Sequence, residues 1–261
     1  MEHITKAIAR SQTSVPPTSR RPDGSIIVGY GKPDCPKCRG IGYLRKTDLP
    51  VGHPDFGEAR QCSCWKADTA PKLQENSGLT GSRLKTRLAD IVTEGRPGTA
   101  RMVKACLEFC ERPTNILTLW GGVGNGKTMA LQGVVNELNS RGLQAVYMSA
   151  FALKSHLQEA FDAAGEGKGE SVHQRLANIE KVPVLVLDEL DKINPTKWTV
   201  EHLEHLLDAR YRLAEDETAG TLIAMNGDPG QQPASIASRL LDGRNRVVLN
   251  DDPDIRPALA R

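Results

Sequence analysis

The chain has 261 residues, 39% of them hydrophobic, with 34 Lys and Arg against 32 Asp and Glu for a formal net charge of +2. That length suits one mid-sized domain plus a small appendage, and so slight a charge excludes nucleic-acid binding by bulk electrostatics, leaving only local patches. No apolar run is long enough for a membrane span and no secretory signal pattern is present, so a cytoplasmic protein without a membrane role is expected.

Residues 1–32 contain Ser11–Pro17 and Arg20-Arg21-Pro22-Asp23-Gly24, a Pro, Ser and Arg mixture that reads as a mobile arm. In 33–66, Cys35-Pro36-Lys37-Cys38 and Cys62-Ser63-Cys64 supply thiolates in two close pairs, enough for one tetrahedral zinc site, with His53 as an alternative to one of them. The first pair has knuckle spacing, and Gly40 and Gly42 give the turn its backbone freedom; the second pair is C-x-C. So short a segment cannot bury enough apolar surface to fold alone, whereas structural zinc supplies about 10 to 16 kcal/mol of apparent binding free energy. Reduced cytosolic thiols also favour zinc over disulfides. Lys37, Arg39, Arg45, Lys46 and Arg60 make the module locally basic, which leaves two jobs open, docking a protein partner or touching nucleic acid. Trp65 reads as a packing residue, and 67–82, with Pro71 and Gly78, as a linker with some helix.

The remainder, 83–261, reads as one α/β domain. Thr99–Cys110 has helical spacing and places Cys106 and Cys110 one turn apart on a face with Met102, Val103 and Leu107, as small core residues. Ile116–Trp120 is a short apolar strand, and Gly121, Gly122, Val123, Gly124, Asn125, Gly126, Lys127 and Thr128 follow it in the pattern G-x-x-x-x-G-K-[ST], before a helix with periodic apolar residues. Strand, glycine loop and helix make a P-loop: backbone N–H groups and the helix N-terminus face the phosphates of ATP, Lys127 neutralises their charge, and Thr128 offers its hydroxyl to Mg²⁺. Gln144–Met148 is the next strand, and Gly165–Gly169 is a flexible turn. Val182–Leu187 is a continuous apolar run ending in Asp188-Glu189, the pattern of a buried parallel strand that delivers carboxylates to a site. Asp188 is expected to hold Mg²⁺ through water and Glu189 to polarise the attacking water. Thr221–Met225 ends in Asn226, placed to orient that water; Pro233–Leu241 is helix-like and carries Arg239; Asn245–Leu249 is a last strand before the tail Asp251–Arg261. A parallel sheet with helices on both faces follows, with nucleotide at the C-terminal strand ends.

In this order, from about Leu84 to the C-terminus, the P-loop, the Asp-Glu strand, the Asn-tipped strand and the Ser238-Arg239 helix resemble the helicase-loader and transposition-helper branch of the AAA+ ATPases, the DnaC/DnaI/IstB type. Thr196–Arg212 is similar to the helix that follows Walker B there. The resemblance implies a P-loop AAA+ sheet with flanking helices and little or no C-terminal lid, Asn226 as sensor 1, and Arg239 as an arginine finger toward the γ-phosphate of a neighbouring subunit in an ATP-dependent homo-oligomer. Arg244 and Arg246 rival Arg239, and Arg256 stands either for sensor 2 or for a surface residue. A helical segment gripping single-stranded DNA is implied too, matched by Phe151–Phe161 with Lys154 and His156. The function implied is loading of a replicative ring helicase onto single-stranded DNA, or alternatively delivery of a transposase to target DNA; a regulatory binding module with a nearly silent ATPase is the third reading. The zinc segment resembles N-terminal zinc domains of some loaders, where they contact the helicase, and favours the first.

Overall fold

A computed structural model of the chain describes residues 18–20, 26–28, 34–45, 50, 52–53, 56, 59–165, 170–215 and 219–256. Most of the arm expected at 1–32, Lys46, most of the glycine-rich turn after Gly165, the tail from 257 onward and the Trp65 side chain lie outside the described residues.

Two antiparallel ladders come first: β1 (Thr18–Arg20) with β2 (Ile26–Val28), and β3 (Tyr43–Arg45) with β4 (Ala59–Gln61), Tyr43 facing Gln61. Helix α1 (Ser63–Glu75) then runs straight across the boundary expected between 66 and 67. Its end is fastened to the body of the protein rather than loose. The Gln74 amide donates to the Leu84 carbonyl at 3.3 Å and to the Asn136 side chain, and the Ser77 carbonyl accepts the Tyr147 N–H at 2.8 Å.

The main sheet is wholly parallel and has five strands: β5 (Asn115–Trp120), β6 (Ala145–Ser149), β7 (Val184–Asp188), β8 (Gly220–Met225) and β9 (Arg246–Leu249), in spatial order β6-β7-β8-β5-β9. The Ser77 carbonyl pairs with its β6 edge at Tyr147. The helices are α2 (Pro97–Glu111), α3 (Lys127–Ser140), α4 (Ala150–Gly165), α5 (Val172–Glu180), α6 (Lys197–Glu215) and α7 (Ala234–Leu240). Every residue of β7 and β8 is buried, because helices cover both faces and a doubly covered strand needs an unbroken apolar run.

The period of two along each strand sorts the apolar residues into two cores. Leu117, Leu119, Val184, Val186 and Leu222 meet Met102, Cys106 and Phe109 of α2 and Leu131, Val134 and Leu138 of α3. Ile116, Leu185, Leu187, Ile223 and Met225 meet Leu157 of α4, Ile179 of α5, Leu206 of α6 and Leu240 of α7. The expected sheet with helices on both faces is thus borne out. Cys106 and Cys110 lie in the first core, but Leu107, expected beside them, is exposed; the inward face of α2 runs through Met102, Ala105, Phe109 and Cys110. Among the described residues no helix is long and apolar enough to cross a membrane.

Arg210 of α6 is fully buried and ties together the strand ends remote from the P-loop. Its guanidinium donates to the carbonyls of Glu180 at 2.8 Å and Pro183 at 3.3 Å, to those of Val182 and Gly220, and to the Thr221 hydroxyl at 3.1 Å. Burial pulls its pKa down to about 10, so it stays charged at neutral pH. Removing it strands several buried carbonyls; Arg210→Ala is expected to cost about 3 to 5 kcal/mol in urea unfolding, and a loss below about 1 kcal/mol would contradict this role.

Candidate functional site

The loop after β5 turns sharply because Gly121, Gly124 and Gly126 adopt φ of 134°, 68° and 96°, and α3 starts directly after them at Lys127. Gly121 admits no side chain, because a Cβ there would lie 2.0 Å from the Asn250 carbonyl oxygen, and at Gly124 the φ of 68° strains any side chain. Lys127, only 6% exposed, donates from Nζ to the carbonyls of Gly121 at 2.8 Å and Gly122 at 2.6 Å and to Asn125 Oδ1 at 3.0 Å. Burial lowers its pKa, while the charges of Asp188 and Asp191 pull it back up. The loop thus holds an ammonium at the mouth of a cavity of about 360 Å³, lined by Val123 to Met129 and, opposite, by Asp188, Glu189, Lys192, Met225, Asn226, Ile255 and Arg256.

Asp188, 3% exposed at the end of β7, accepts the Tyr147 hydroxyl on Oδ2 at 2.8 Å, the Glu189 N–H on Oδ1 at 2.9 Å, and the Thr128 hydroxyl. Burial raises its pKa and the donors from Tyr147 and Thr128 oppose that. A carboxylate beside a hydroxyl at the foot of a phosphate loop is a donor set suited to Mg²⁺, a hard cation that takes oxygen ligands. Glu189 sits in the left-handed region at φ 58°, which turns it out of line with the strand, and its carboxylate pairs with the Lys192 ammonium. Lys127, Thr128, Asp188, Glu189 and Asn226 therefore converge on one cavity.

The arginines are placed elsewhere. Arg239 is outside the cavity lining; it pairs with Asp208 at 2.7 Å and donates to the Ser235 carbonyl at 2.8 Å. Arg244 pairs with Glu215 at 2.7 Å and stacks 4.2 Å over the Tyr211 ring, and Arg246 pairs with Glu108. Arg256, by contrast, lines the cavity while paired with Asp254 at 2.7 Å. His156 is buried under Arg175, which donates to its carbonyl at 2.7 Å, and burial lowers the imidazole to about 4; it is not part of the surface around Phe151 and Phe161.

Sequence patterns gave no sign of two features. Tyr147 reads as an ordinary strand residue, yet it positions Asp188. Residues from Asp251 on read as a tail, yet together with Asn250 they strap the P-loop down. Asn125 Nδ2 donates to the Asn250 carbonyl at 2.7 Å, Asn250 Nδ2 returns a bond to the Asn125 carbonyl at 2.9 Å, and the Ile255 N–H donates to the Gly124 carbonyl at 3.0 Å. Asp252 accepts the Gly98 N–H at 3.2 Å, the Thr99 N–H at 2.6 Å and the Thr99 hydroxyl at 2.7 Å, capping the otherwise orphaned N–H groups at the start of α2.

The four N-terminal cysteines form a second cluster, with all Sγ atoms within 4.8 Å of one another. Cys35 Sγ lies 3.7 Å from Cys62 Sγ and Cys38 Sγ 3.3 Å from Cys64 Sγ, far from the ~2.05 Å of a disulfide and near the roughly 3.8 Å between thiolates on a tetrahedral zinc. The first pair sits on a turn closed by the Arg39 N–H to the Cys35 carbonyl at 2.9 Å, with Gly40 at φ 91°. The C-x-C pair straddles the start of α1, with Cys62 extended just before it and Cys64 in its first turn, and both Sγ atoms reach the cluster. The backbone N–H of Cys38 lowers the Cys35 thiol to about 6, toward the thiolate a metal needs. His53 is not part of the cluster. The residues fit a structural zinc.

Residues 117–244 match the model of the AAA family, the ATPase family associated with various cellular activities. The chromosomal replication initiator protein DnaA of Aquifex aeolicus (strain VF5) is 28% identical over 127 residues, which cover 47% of this chain and 29% of the initiator. Among solved structures, the replication initiator DnaA bound to AMPPCP and single-stranded DNA superposes with a TM-score of 0.55 at 22% identity, covering 65% of this chain and 50% of that one. The DnaC helicase loader gives 0.51 at 20% identity over 66% of this chain and 100% of that one. The chain spans well under two thirds of the initiators it matches. It carries an AAA ATPase domain, with the fold seen in the DnaC loader.

Metal analysis of the purified protein should find about one zinc per chain, lost on replacing Cys35 and Cys38 by serine. A folded, metal-free wild-type protein would contradict the zinc site.

Proposed function

We propose that this chain is a cytoplasmic, ATP-dependent helicase loader that helps to place a replicative ring helicase on single-stranded DNA during replication. The observation that carries the reading is a stripe on α4, within the ATPase domain: Phe151 is 73% and Phe161 63% exposed, and helical spacing puts Lys154 and Gln158 between them on the same side. Large aromatics left in water mark contact surfaces, and aromatic faces interleaved with a cation suit stacked bases and a phosphate backbone. The likeness to an initiator solved with single-stranded DNA and to a helicase loader supports the same direction.

In this reading the division of labour follows the expected segments, with the zinc module at 33–66 docking the helicase and 83–261 acting as the ATPase. The P-loop N–H groups and Lys127 bind the phosphates of ATP, Lys127 exchanging loop carbonyls for phosphate oxygens. Thr128 and Asp188 hold Mg²⁺, which when bound neutralises charge on the transferring phosphoryl group. Glu189 polarises the attacking water once it leaves Lys192, and Asn226 orients that water. Arg239 exchanges Asp208 for the γ-phosphate of a neighbouring subunit, so that a homo-oligomer forms with ATP and turns over as one unit.

The test is retention of the replicative helicase from the same source by the purified chain with ATP and single-stranded DNA. Helicase should be retained, and Phe151→Ala with Phe161→Ala should weaken DNA binding about tenfold or more while ATPase activity persists. Unchanged DNA affinity would remove the α4 stripe from its role. Intact ATPase with no helicase binding would move the transposition helper to first place.

A further inference from the structure

Strands β7 and β8 pair only as far as Leu187 opposite Ile223, while β8 continues beside β5 to Met225 opposite Trp120. Asn226 and Gly227 therefore leave the sheet with no β7 backbone alongside them. Their N–H groups both donate to Asp191 Oδ2, each at 3.1 Å. Asp191 lies in the 3₁₀ turn Leu190–Lys192, two residues beyond Glu189. Leu190 anchors that turn in the second core, and the Lys192 N–H closes it on the Glu189 carbonyl at 3.0 Å. The second oxygen of Asp191, Oδ1, is shielded from water with no hydrogen-bond partner. Leaving a buried carboxylate oxygen unpaired is costly, so an acceptor needed only to satisfy two amides would be served as well by a neutral side chain. The charge of Asp191 also opposes, with that of Asp188, the burial that lowers the Lys127 pKa.

We propose that Asp191 is a positioning residue of the ATPase site: its carboxylate replaces the missing strand partner of Asn226 and Gly227 and so fixes Asn226 relative to the turn that carries Glu189. This rests on the reading of Asn226 as the residue that orients the attacking water. Asp191 itself does not line the cavity; it sets the spacing of two groups that come from different strands. A shift of about 1 Å in such a spacing can cost about 100-fold in rate.

The experiment combines steady-state ATPase kinetics, nucleotide affinity and amide hydrogen exchange on the full chain. Asp191→Ala should lower kcat about 10- to 100-fold with nucleotide affinity nearly unchanged, and should speed exchange at the Asn226 and Gly227 amides. Asp191→Asn keeps an acceptor at the same reach and should stay within about threefold of wild type. Adding Asp191→Ala to Asn226→Ala should cost nothing beyond Asn226→Ala alone, since the first acts through the second. Multiplying effects, equal losses in the Asn and Ala variants, or unchanged exchange at the two amides would each overturn the proposal. If Asn226→Ala by itself leaves kcat intact, the catalytic reading of Asn226 falls, while fast exchange in Asp191→Ala would still report the clamp. Should Asp191→Ala not fold, Asp191→Ser, too short to reach both amides, takes its place.

Discussion

The reciprocal amide bonds between Asn125 and Asn250 fix the phosphate loop against the end of the edge strand, and every group at the nucleotide site is placed relative to that loop. Both residues are buried, so each bond forms in a medium where losing one partner would strand the other. Gly121 follows from this contact: it has no Cβ because the Asn250 carbonyl occupies its place, and Gly124 has none because its φ of 68° strains any side chain. The loop is therefore held in shape by its own positive φ angles from within and by the strap at 250–256 from without. Asp252 extends the same fastening to the start of α2, so the loop, the edge strand and that helix are tied together.

Opposite the loop, the groups proposed as catalytic are held by residues that do not line the cavity. Tyr147 reaches across from β6 to Asp188, and Asp191 reaches from the turn after β7 to the end of β8. The sheet order accounts for this: β7 and β8 are neighbours, but β8 outruns its pairing with β7 just before Asn226. Lys127 and Glu189 are both occupied by groups of the chain itself, loop carbonyls in one case and Lys192 in the other. Arg239 is likewise held by Asp208. Charges proposed to act on a polyphosphate are thus paired within the chain, which avoids leaving a desolvated ion alone.

How much of this could be read from the sequence depended on whether the signal was local. The P-loop, the apolar run ending in Asp188-Glu189 and the strand ending in Asn226 are contiguous patterns whose chemistry dictates residue type at each step. The four cysteines were legible for the same reason, since each pair sits within a few residues. Tyr147, Asp191, Asn250 and Asp252 were not, because each acts on a partner 35 to 154 residues away, and such pairing leaves no periodicity in either segment. The segment at 67–82 looked like a linker because Pro71 and Gly78 punctuate it. What fastens it is the bond from Tyr147 to Ser77, and the Gly78 position, where a Cβ would lie 2.1 Å from the Tyr147 carbonyl, is a close approach that composition alone cannot distinguish from a flexible turn. His156 and Leu107 changed sides for a simpler reason: a helix with apolar residues over much of its surface does not specify which edge of that surface faces the sheet.

The central claim is that the cavity at the P-loop binds and hydrolyses ATP with Lys127 and Glu189 in separable roles. Calorimetric ATP binding, measured together with Mg²⁺-dependent phosphate release, tests it on three proteins: wild type, Lys127→Ala and Glu189→Gln. Lys127→Ala should lose both binding and turnover, whereas Glu189→Gln should keep binding and lose turnover. Lys127→Ala binding ATP as tightly as wild type, or Glu189→Gln hydrolysing it at an undiminished rate, would contradict the account.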